Sequence, residues 1–117
     1  MVKNMHELAI TQHILGSTIK AATEAEASRI IAINLKMSDY CDYVPEIIQE
    51  YFDSLSEGTI AYGAKISVSI IPAMIRCSEC AKEFEDDKKA LKCPFCGSER
   101  IRIQRTNELY IEDMEIE

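Results

Sequence analysis

Apolar positions recur along this chain with two different periods, and the helical period comes first. Asn4 and Glu7 have the spacing of a capping box, in which one side chain caps a helix start and an acid three residues later reaches back. The helix predicted from this start runs over about Met5–Glu24. His13 falls on its outer side and is predicted to face solvent. Its inner arc combines apolar residues and threonines at helical spacing: Leu8, Thr11, Leu15, Thr18, Ile19 and Ala22.

A second helix is predicted after a loop at 38–43. Pro45 suits the first helical position, because the N–H group it lacks would have no intrahelical partner there. Gly58 marks the end of the helix, since glycine readily adopts the backbone conformation that terminates one. The apolar stripe of this helix consists of five residues: Ile47, Ile48, Tyr51, Phe52 and Leu55.

Alternation with a period of two predicts three strands. The first strand, at 29–37, is expected to bury Ile31, Ile33, Leu35 and Met37. The second, Lys65–Ile71, is expected to face inward with Ile66, Val68 and Ile70, before Pro72 limits further pairing. The last strand, Leu109–Ile116, changes the parity of its apolar positions, so a bulge near Glu112 and Asp113 is expected.

These elements predict an α+β fold with two helices on a small three-stranded mixed sheet and an inserted four-cysteine zinc-ribbon module. The predicted domains are residues 1–72 plus 106–117 for the α+β part and residues 73–105 for the zinc-binding part. Within the ribbon, 81–92 is predicted to be a charged loop. Ile101 and Ile103 indicate a short strand that closes the ribbon.

The cysteines carry the strongest chemical signal. Cys77 and Cys80 are separated by two residues, as are Cys93 and Cys96. Zinc prefers four soft ligands with a zinc–sulfur distance of about 2.3 Å, and each Cys-x-x-Cys turn offers two thiolates. The spacing therefore predicts a closed, structural zinc site rather than a catalytic one, with Gly97 easing the turn after the last ligand. Two disulfides or a redox pair are the alternative interpretation.

Composition and charge narrow the function classes. The 117 residues fit one domain, or one small domain plus a metal module. No apolar run approaches the length of a membrane span, and no signal peptide is evident. Four of the five cysteines have metal-binding spacing, which indicates a reducing cytoplasm. Residues 76–105 hold eight Lys/Arg against six Asp/Glu, so the net charge of -7 comes entirely from the rest of the chain, with five against fourteen. That acidity disfavours nucleic acid as the main partner and suits a metal cation or a basic protein surface. Cys41 is interpreted as a small buried or half-buried residue.

Nothing in the chain resembles a catalytic constellation, so it is predicted not to be an enzyme. His6 is the informative residue, because a histidine near an amino terminus can chelate a square-planar ion. Its imidazole, its own backbone nitrogen and neighbouring nitrogens form the donor set, and tetragonal nitrogen sets favour Ni(II) or Cu(II). The alternative is an exposed His6 in the first helical turn, with Glu7 serving the cap.

The residues around His6 are similar to a known family. Met5-His6-Glu7-Leu8-Ala9-Ile10-Thr11-Gln12 resembles the opening of the HypA/HybF family, the nickel metallochaperones of NiFe-hydrogenase maturation. The similarity continues through Val44-Pro45-Glu46, through 58–64, through both cysteine pairs and into the final strand. It therefore covers nearly the whole chain, and the combination is more specific than any single motif.

This resemblance implies a nickel metallochaperone with two lobes. It implies nickel binding at His6 and Glu7 in the first lobe, and structural zinc on the four cysteines in the other: Cys77, Cys80, Cys93 and Cys96. Zn²⁺ would be resident and Ni²⁺ transported. The implied partners are a HypB-like nickel-delivering GTPase and the hydrogenase large-subunit precursor, with urease as the target in some members. The chain is also predicted to be a cytoplasmic monomer or homodimer with neither nucleic acid nor a membrane as a partner.

Three departures from the family pattern bear on the nickel site. Residues 1–4 precede the motif, so an amide of Met5 or Asn4 would replace the free amine that the family's initiator methionine offers. Val44 stands where the family often has an acidic residue, with Asp42 and Glu46 as neighbours. The third departure is Ser38-Asp39 in place of the family's usual Gly-Glu.

Other function classes remain open from the residues themselves. The main alternative is a zinc-ribbon protein-interaction module of the same fold without nickel binding. Nucleic-acid binding along an edge formed by Arg100, Arg102 and Arg105 is a weaker hypothesis, and salt-dependent binding would test it. A thiol-disulfide enzyme is disfavoured because zinc needs both cysteine pairs.

Overall fold

The computed structural model describes residues 5–39, 41–86, 92–104 and 108–117, and these ranges contain two helices and six strands. The helices are α1 (Met5–Glu24) and α2 (Pro45–Leu55). The strands are β1 (Ile30–Ser38), β2 (Lys65–Ile71), β3 (Met74–Cys77), β4 (Glu83–Glu85), β5 (Ile101–Gln104) and β6 (Leu109–Ile116). The predicted starts of both helices are confirmed, as are the predicted second and last strands. Neither described helix has the length and apolarity that crossing a membrane requires.

The packing of Cα atoms divides the chain into two units. One unit comprises Met1–Lys36, Asp42–Ser69 and Tyr110–Glu117, and in it α1 packs against α2. The other comprises Met37–Cys41 and Ile70–Leu109 and contains both cysteine pairs.

One three-stranded sheet has the order β2-β1-β6, with β1 in the centre. The Arg29 and Glu117 backbones bond to each other at one end of β1, and the Ser38 N–H donates to Glu108 at the other end, so β6 runs antiparallel to β1. The Asp39 N–H donates to the carbonyl of Ile71 where β1 and β2 both end, which indicates a parallel pair joined through α2. The predicted α+β fold with a mixed sheet is confirmed.

The buried face of α1 is centred on different residues from those predicted. Its fully buried positions follow helical spacing: Glu7, Thr11, Ile14, Thr18 and Ala22. The predicted Leu8, Leu15 and Ile19 are only half-buried. Each buried threonine satisfies its hydroxyl locally, because Thr11 donates to the carbonyl of Glu7 and Thr18 donates to that of Ile14. The threonines therefore occupy the centre of the packed face.

Three predicted inward positions are corrected. Ile30 is buried instead of Ile31, since two successive half-buried residues at 31 and 32 shift the alternation of β1. Ile70 is 52% exposed, because the alternation of β2 breaks there and the successive residues Ser69 and Ile70 are both exposed. Leu55, the last residue of α2, is 36% exposed, and the centre of that helix's buried face is formed by Ile48 and Phe52.

The second sheet has the order β4-β3-β5, and both pairs are antiparallel. Ile75 of β3 is 1% exposed and lies opposite Phe84 on one side and Ile103 on the other. The predicted strand at Ile101 and Ile103 is confirmed as β5. The predicted loop at 81–92 is wrong at Glu83–Glu85, which forms β4, and its residues 87–91 lie outside the described ranges. A three-residue strand with one apolar residue is too short to produce a readable alternation.

Candidate metal sites

The four paired cysteines lie on two turns of the same shape. The Ala81 N–H donates to the carbonyl of Cys77 at 3.0 Å, and the Gly97 N–H donates to the carbonyl of Cys93 at 2.8 Å. The residue after the second cysteine of each pair has a left-handed backbone, with φ of 63° at Ala81 and 78° at Gly97. Glycine adopts this conformation without strain, whereas alanine does not. Each Cys-x-x-Cys segment thus forms a knuckle that turns two sulfurs to the same side.

The two knuckles bring their four sulfurs together. The Sγ atoms of Cys77 and Cys96 are 3.6 Å apart, as are those of Cys80 and Cys93, and all four lie within 4.8 Å of one another. A tetrahedral zinc ion with bonds of about 2.3 Å to sulfur requires sulfurs separated by about 3.8 Å. The donor type, number and separation therefore fit a tetrahedral thiolate site.

Backbone groups in the first knuckle stabilise a thiolate. The N–H groups of Cys80 and Glu79 each approach the Sγ of Cys77 at 3.4 Å. These contacts, with the Cys80 N–H as the largest influence, lower the pKa of Cys77 from 9.0 to about 6. A thiolate at Cys77 is therefore available near neutral pH, and the thiolate is the form that binds metal.

The fourth cysteine shows why the cluster needs a cation. The Ser98 N–H is the largest influence on Cys96 and favours its thiolate, but the neighbouring sulfurs, Cys77 first, together with partial desolvation raise the pKa of Cys96 to about 12. Adjacent thiolates repel one another, so the four groups do not ionise together unless a positive charge lies between them. A divalent ion bound between the four sulfurs would supply that charge.

A second candidate site lies at the start of α1 and involves the adjacent residues His6 and Glu7. Glu7 belongs to the buried face of the helix, and its side chain is 3% exposed. Its Oε2 accepts the N–H of Val44 at 3.0 Å, and Val44 is the N-cap of α2. The positive end of the α2 dipole favours a carboxylate at this place.

The imidazole of His6 adjoins the same carboxylate at the surface. The Nε2 of His6 lies 3.4 Å from the Oε1 of Glu7, and the His6 side chain is 52% exposed. The ring of Tyr43 meets the imidazole edge to face, with 5.3 Å between centroids. An exposed imidazole nitrogen that can bind a metal therefore adjoins the buried carboxyl group of Glu7.

The sequence predicted His6 and Glu7 and singled out Val44 as a departure from the family pattern, but it did not predict that Tyr43 and Val44 contact this pair. Glu7 and Val44 are 37 residues apart, and no spacing in the chain links them. Among the described residues, the polar contacts of His6 and Glu7 include neither Asp42 nor Glu46. His13 is exposed, as predicted. Cys41 is a half-buried free thiol, which agrees with its interpretation from sequence.

Comparison with known proteins identifies the family. The family model described as "Hydrogenase/urease nickel incorporation, metallochaperone, hypA" matches residues 5–116. The chain belongs to the HypA family. Among its relatives, the hydrogenase maturation factor HypA of Dehalococcoides mccartyi is 37% identical over 113 residues, covering 97% of this chain and 95% of that protein. The corresponding HypA of Caldanaerobacter subterraneus is 32% identical over 114 residues, covering 97% and 100%.

Solved HypA structures share the fold. The solution structure of the Ni metallochaperone HypA from Helicobacter pylori has a TM-score of 0.64 at 17% identity, covering 94% of this chain and 96% of that one. A second solution structure of a HypA protein has a TM-score of 0.71 at 17% identity, covering 96% of each chain. The resemblance to HypA/HybF stated from the motifs is thus confirmed, and this family is one of hydrogenase maturation factors and nickel metallochaperones.

Proposed function

We propose that this HypA-family chain carries Ni(II) on His6 for hydrogenase maturation, while the four cysteines hold a structural zinc ion. The unit that contains α1 and α2 acts as the nickel lobe, and the unit that contains both knuckles acts as the zinc lobe. The observation that carries the proposal is the exposed imidazole of His6 beside the buried carboxylate of Glu7, in a chain of a nickel metallochaperone family.

The cysteine site suits a resident ion. Four thiolates complete the coordination of zinc and leave no open position for exchange. Cys77 and Cys93 are buried, which further restricts access to an ion bound between the knuckles. In this proposal the bound zinc ion stabilises the sheet β4-β3-β5.

The His6 site suits a transported ion. His6 and Glu7 are in the first turn of α1, where backbone N–H groups have no intrahelical acceptor. The backbone nitrogens of these residues are therefore free of helical hydrogen bonds and can join the imidazole in a chelate. Such a nitrogen-rich set favours Ni(II), and its exposure allows release to a partner. No chemical reaction of a substrate is required, so the role is that of a carrier.

The partners follow from the family rather than from a contact in this chain. The family model is described by nickel incorporation, and the relatives are hydrogenase maturation factors. These descriptions support a hydrogenase large-subunit precursor as the recipient of nickel and a HypB-like GTPase as the protein that assists the transfer. The family description also includes urease, which makes urease a second target class to test.

The decisive experiment is a nickel titration at fixed zinc content, monitored by calorimetry. The full chain is compared with His6→Ala and with His13→Ala, which removes an exposed histidine from the same helix and serves as the control. We expect one nickel ion per chain for wild type and His13→Ala, and a loss of that site in His6→Ala. Equal nickel binding by all three proteins, or none by wild type, would favour the zinc-ribbon interaction module.

A chain that begins at Met5 tests the contribution of a free amine. Tighter nickel binding by this form than by the full chain would mean that the amine of Met5 is a ligand. Equal binding would mean that backbone amides take its place in the full chain. In both cases the dependence on His6 is unchanged.

A further inference from the structure

The side chain of Glu7 has a buried oxygen that accepts no hydrogen bond. Within the described residues, Oε1 of Glu7 is the buried side-chain oxygen or nitrogen that has no hydrogen-bond partner. Leaving such an atom without a donor costs free energy, because a carboxylate oxygen in water is fully hydrated. Nε2 of His6 lies 3.4 Å from this oxygen.

The other oxygen of Glu7 keeps the carboxylate in place. Oε2 accepts the N–H of Val44 at the start of α2, so the carboxylate is held between the two helices of its unit. Its charge is favoured there by the dipole of α2. The orientation of Oε1 toward His6 is therefore determined by packing and is independent of any bound metal.

Tyr43 restricts the imidazole from a second direction. The edge-to-face contact between the two rings, at an interplanar angle of 64°, limits rotation of the His6 ring. With Nε2 near the carboxylate, Nδ1 is the ring nitrogen that remains for a ligand. Nδ1 is also the nitrogen nearer the main chain, so it closes a small chelate ring with the backbone nitrogen of His6.

We propose that Glu7 is a positioning residue that accepts the Nε2–H of His6 and thereby selects Nδ1 as the nickel-binding nitrogen. This inference rests on the proposed function and refines it. Metal-binding histidines commonly donate their second ring N–H to a carboxylate, which fixes the tautomer and makes the ligand more basic. The carboxylate of Glu7 thus acts through His6 and Val44 and is not itself a nickel ligand.

The test begins without nickel, on the zinc-loaded full chain. Nitrogen-15 NMR of labelled histidine reports the tautomer of each neutral imidazole, and His6→Ala assigns the two signals. We expect a higher fraction of the Nε2–H tautomer at His6 than at His13. In Glu7→Gln the amide oxygen can still accept from Val44, but the amide nitrogen then faces Nε2 of His6. The tautomer at His6 is expected to shift toward Nδ1–H, while Glu46→Gln, an exposed change of equal charge, leaves it unchanged.

Nickel titration supplies the second readout. Loss of a carboxylate that orients a metal ligand typically weakens metal binding by about 10- to 100-fold, which is the effect expected for Glu7→Gln relative to Glu46→Gln. An identical His6 tautomer in wild type and Glu7→Gln would overturn the positioning role. So would equal tautomer fractions at His6 and His13 in wild type, a result that needs no variant to fold. Undiminished nickel binding by His6→Ala would instead overturn the proposed function itself.

Discussion

The two candidate metal sites are built on opposite principles. The cysteine site draws each pair of ligands from one short turn, uses four donors of one type, and buries two of them. The His6 site has one exposed imidazole. The residues that contact it and Glu7, Tyr43 and Val44, lie 37 positions further along the chain. A closed set of thiolates retains an ion, whereas an exposed and incomplete set exchanges it. The comparison indicates why, in the proposed function, the cysteine site would retain its ion and the His6 site would release one.

The largest expected effect is on zinc retention. Cys77→Ser removes a buried ligand and should lower zinc affinity by orders of magnitude, because structural zinc sites contribute much of the folding free energy of small metal modules. We expect bound zinc, measured by elemental analysis, to fall well below one per chain. Amide exchange should accelerate in β3, β4 and β5.

Cys41→Ser is the matched control, since Cys41 is a free thiol outside the cluster. It should retain one zinc ion. Full zinc occupancy in Cys77→Ser would contradict the view that the closed site depends on all four thiolates.

An intermediate effect is expected from acid. Because the pKa of Cys77 is lowered from 9.0 to about 6, its thiolate stays available to zinc until the pH falls to about 6 and then takes up a proton. Stabilisation from a lowered pKa is present at high pH and is lost as pH falls through the folded value. Zinc affinity should therefore decrease with falling pH, most steeply below about pH 6, as measured by chelator competition. A zinc affinity that does not change as the pH falls through about 6 would contradict this prediction.

The smallest effect concerns the two knuckles themselves. Ala81 and Gly97 occupy equivalent left-handed positions, with φ of 63° and 78°. Ala81→Gly should stabilise the zinc-loaded protein by about 1 kcal/mol, and Gly97→Ala should destabilise it by a similar amount. A Cβ added at Gly97 meets no atom within 4 Å. The loss of stability in Gly97→Ala therefore comes from the strained backbone conformation and not from a clash with neighbouring atoms. Chemical denaturation measures both, and shifts of the same sign would mean that the knuckles are not equivalent.

Much of the fold could be predicted from sequence because its signals are local. Pro45 indicates the start of α2, and alternation indicates β2 and β6. Most of the wrong predictions concern exposure, as at Ile70 and Leu55. The other is the strand Glu83–Glu85, whose single apolar residue gives no readable alternation. The polar centre of the α1 face was underestimated because Thr11 and Thr18 satisfy their hydroxyls within the helix.

The sequence alone determined the cysteine cluster, since a Cys-x-x-Cys turn is a local structure and two such turns require only one hairpin-like ribbon to meet. It also determined His6 and Glu7 as candidates, through residues that lie side by side in the chain. Only the tertiary structure decided that the carboxylate of Glu7 is buried, binds the Val44 N–H and faces Nε2 of His6. The reason is physical: the burial of Glu7 and its contact with Val44 arise from the packing of α1 against α2, which depends on the whole buried face rather than on any local spacing.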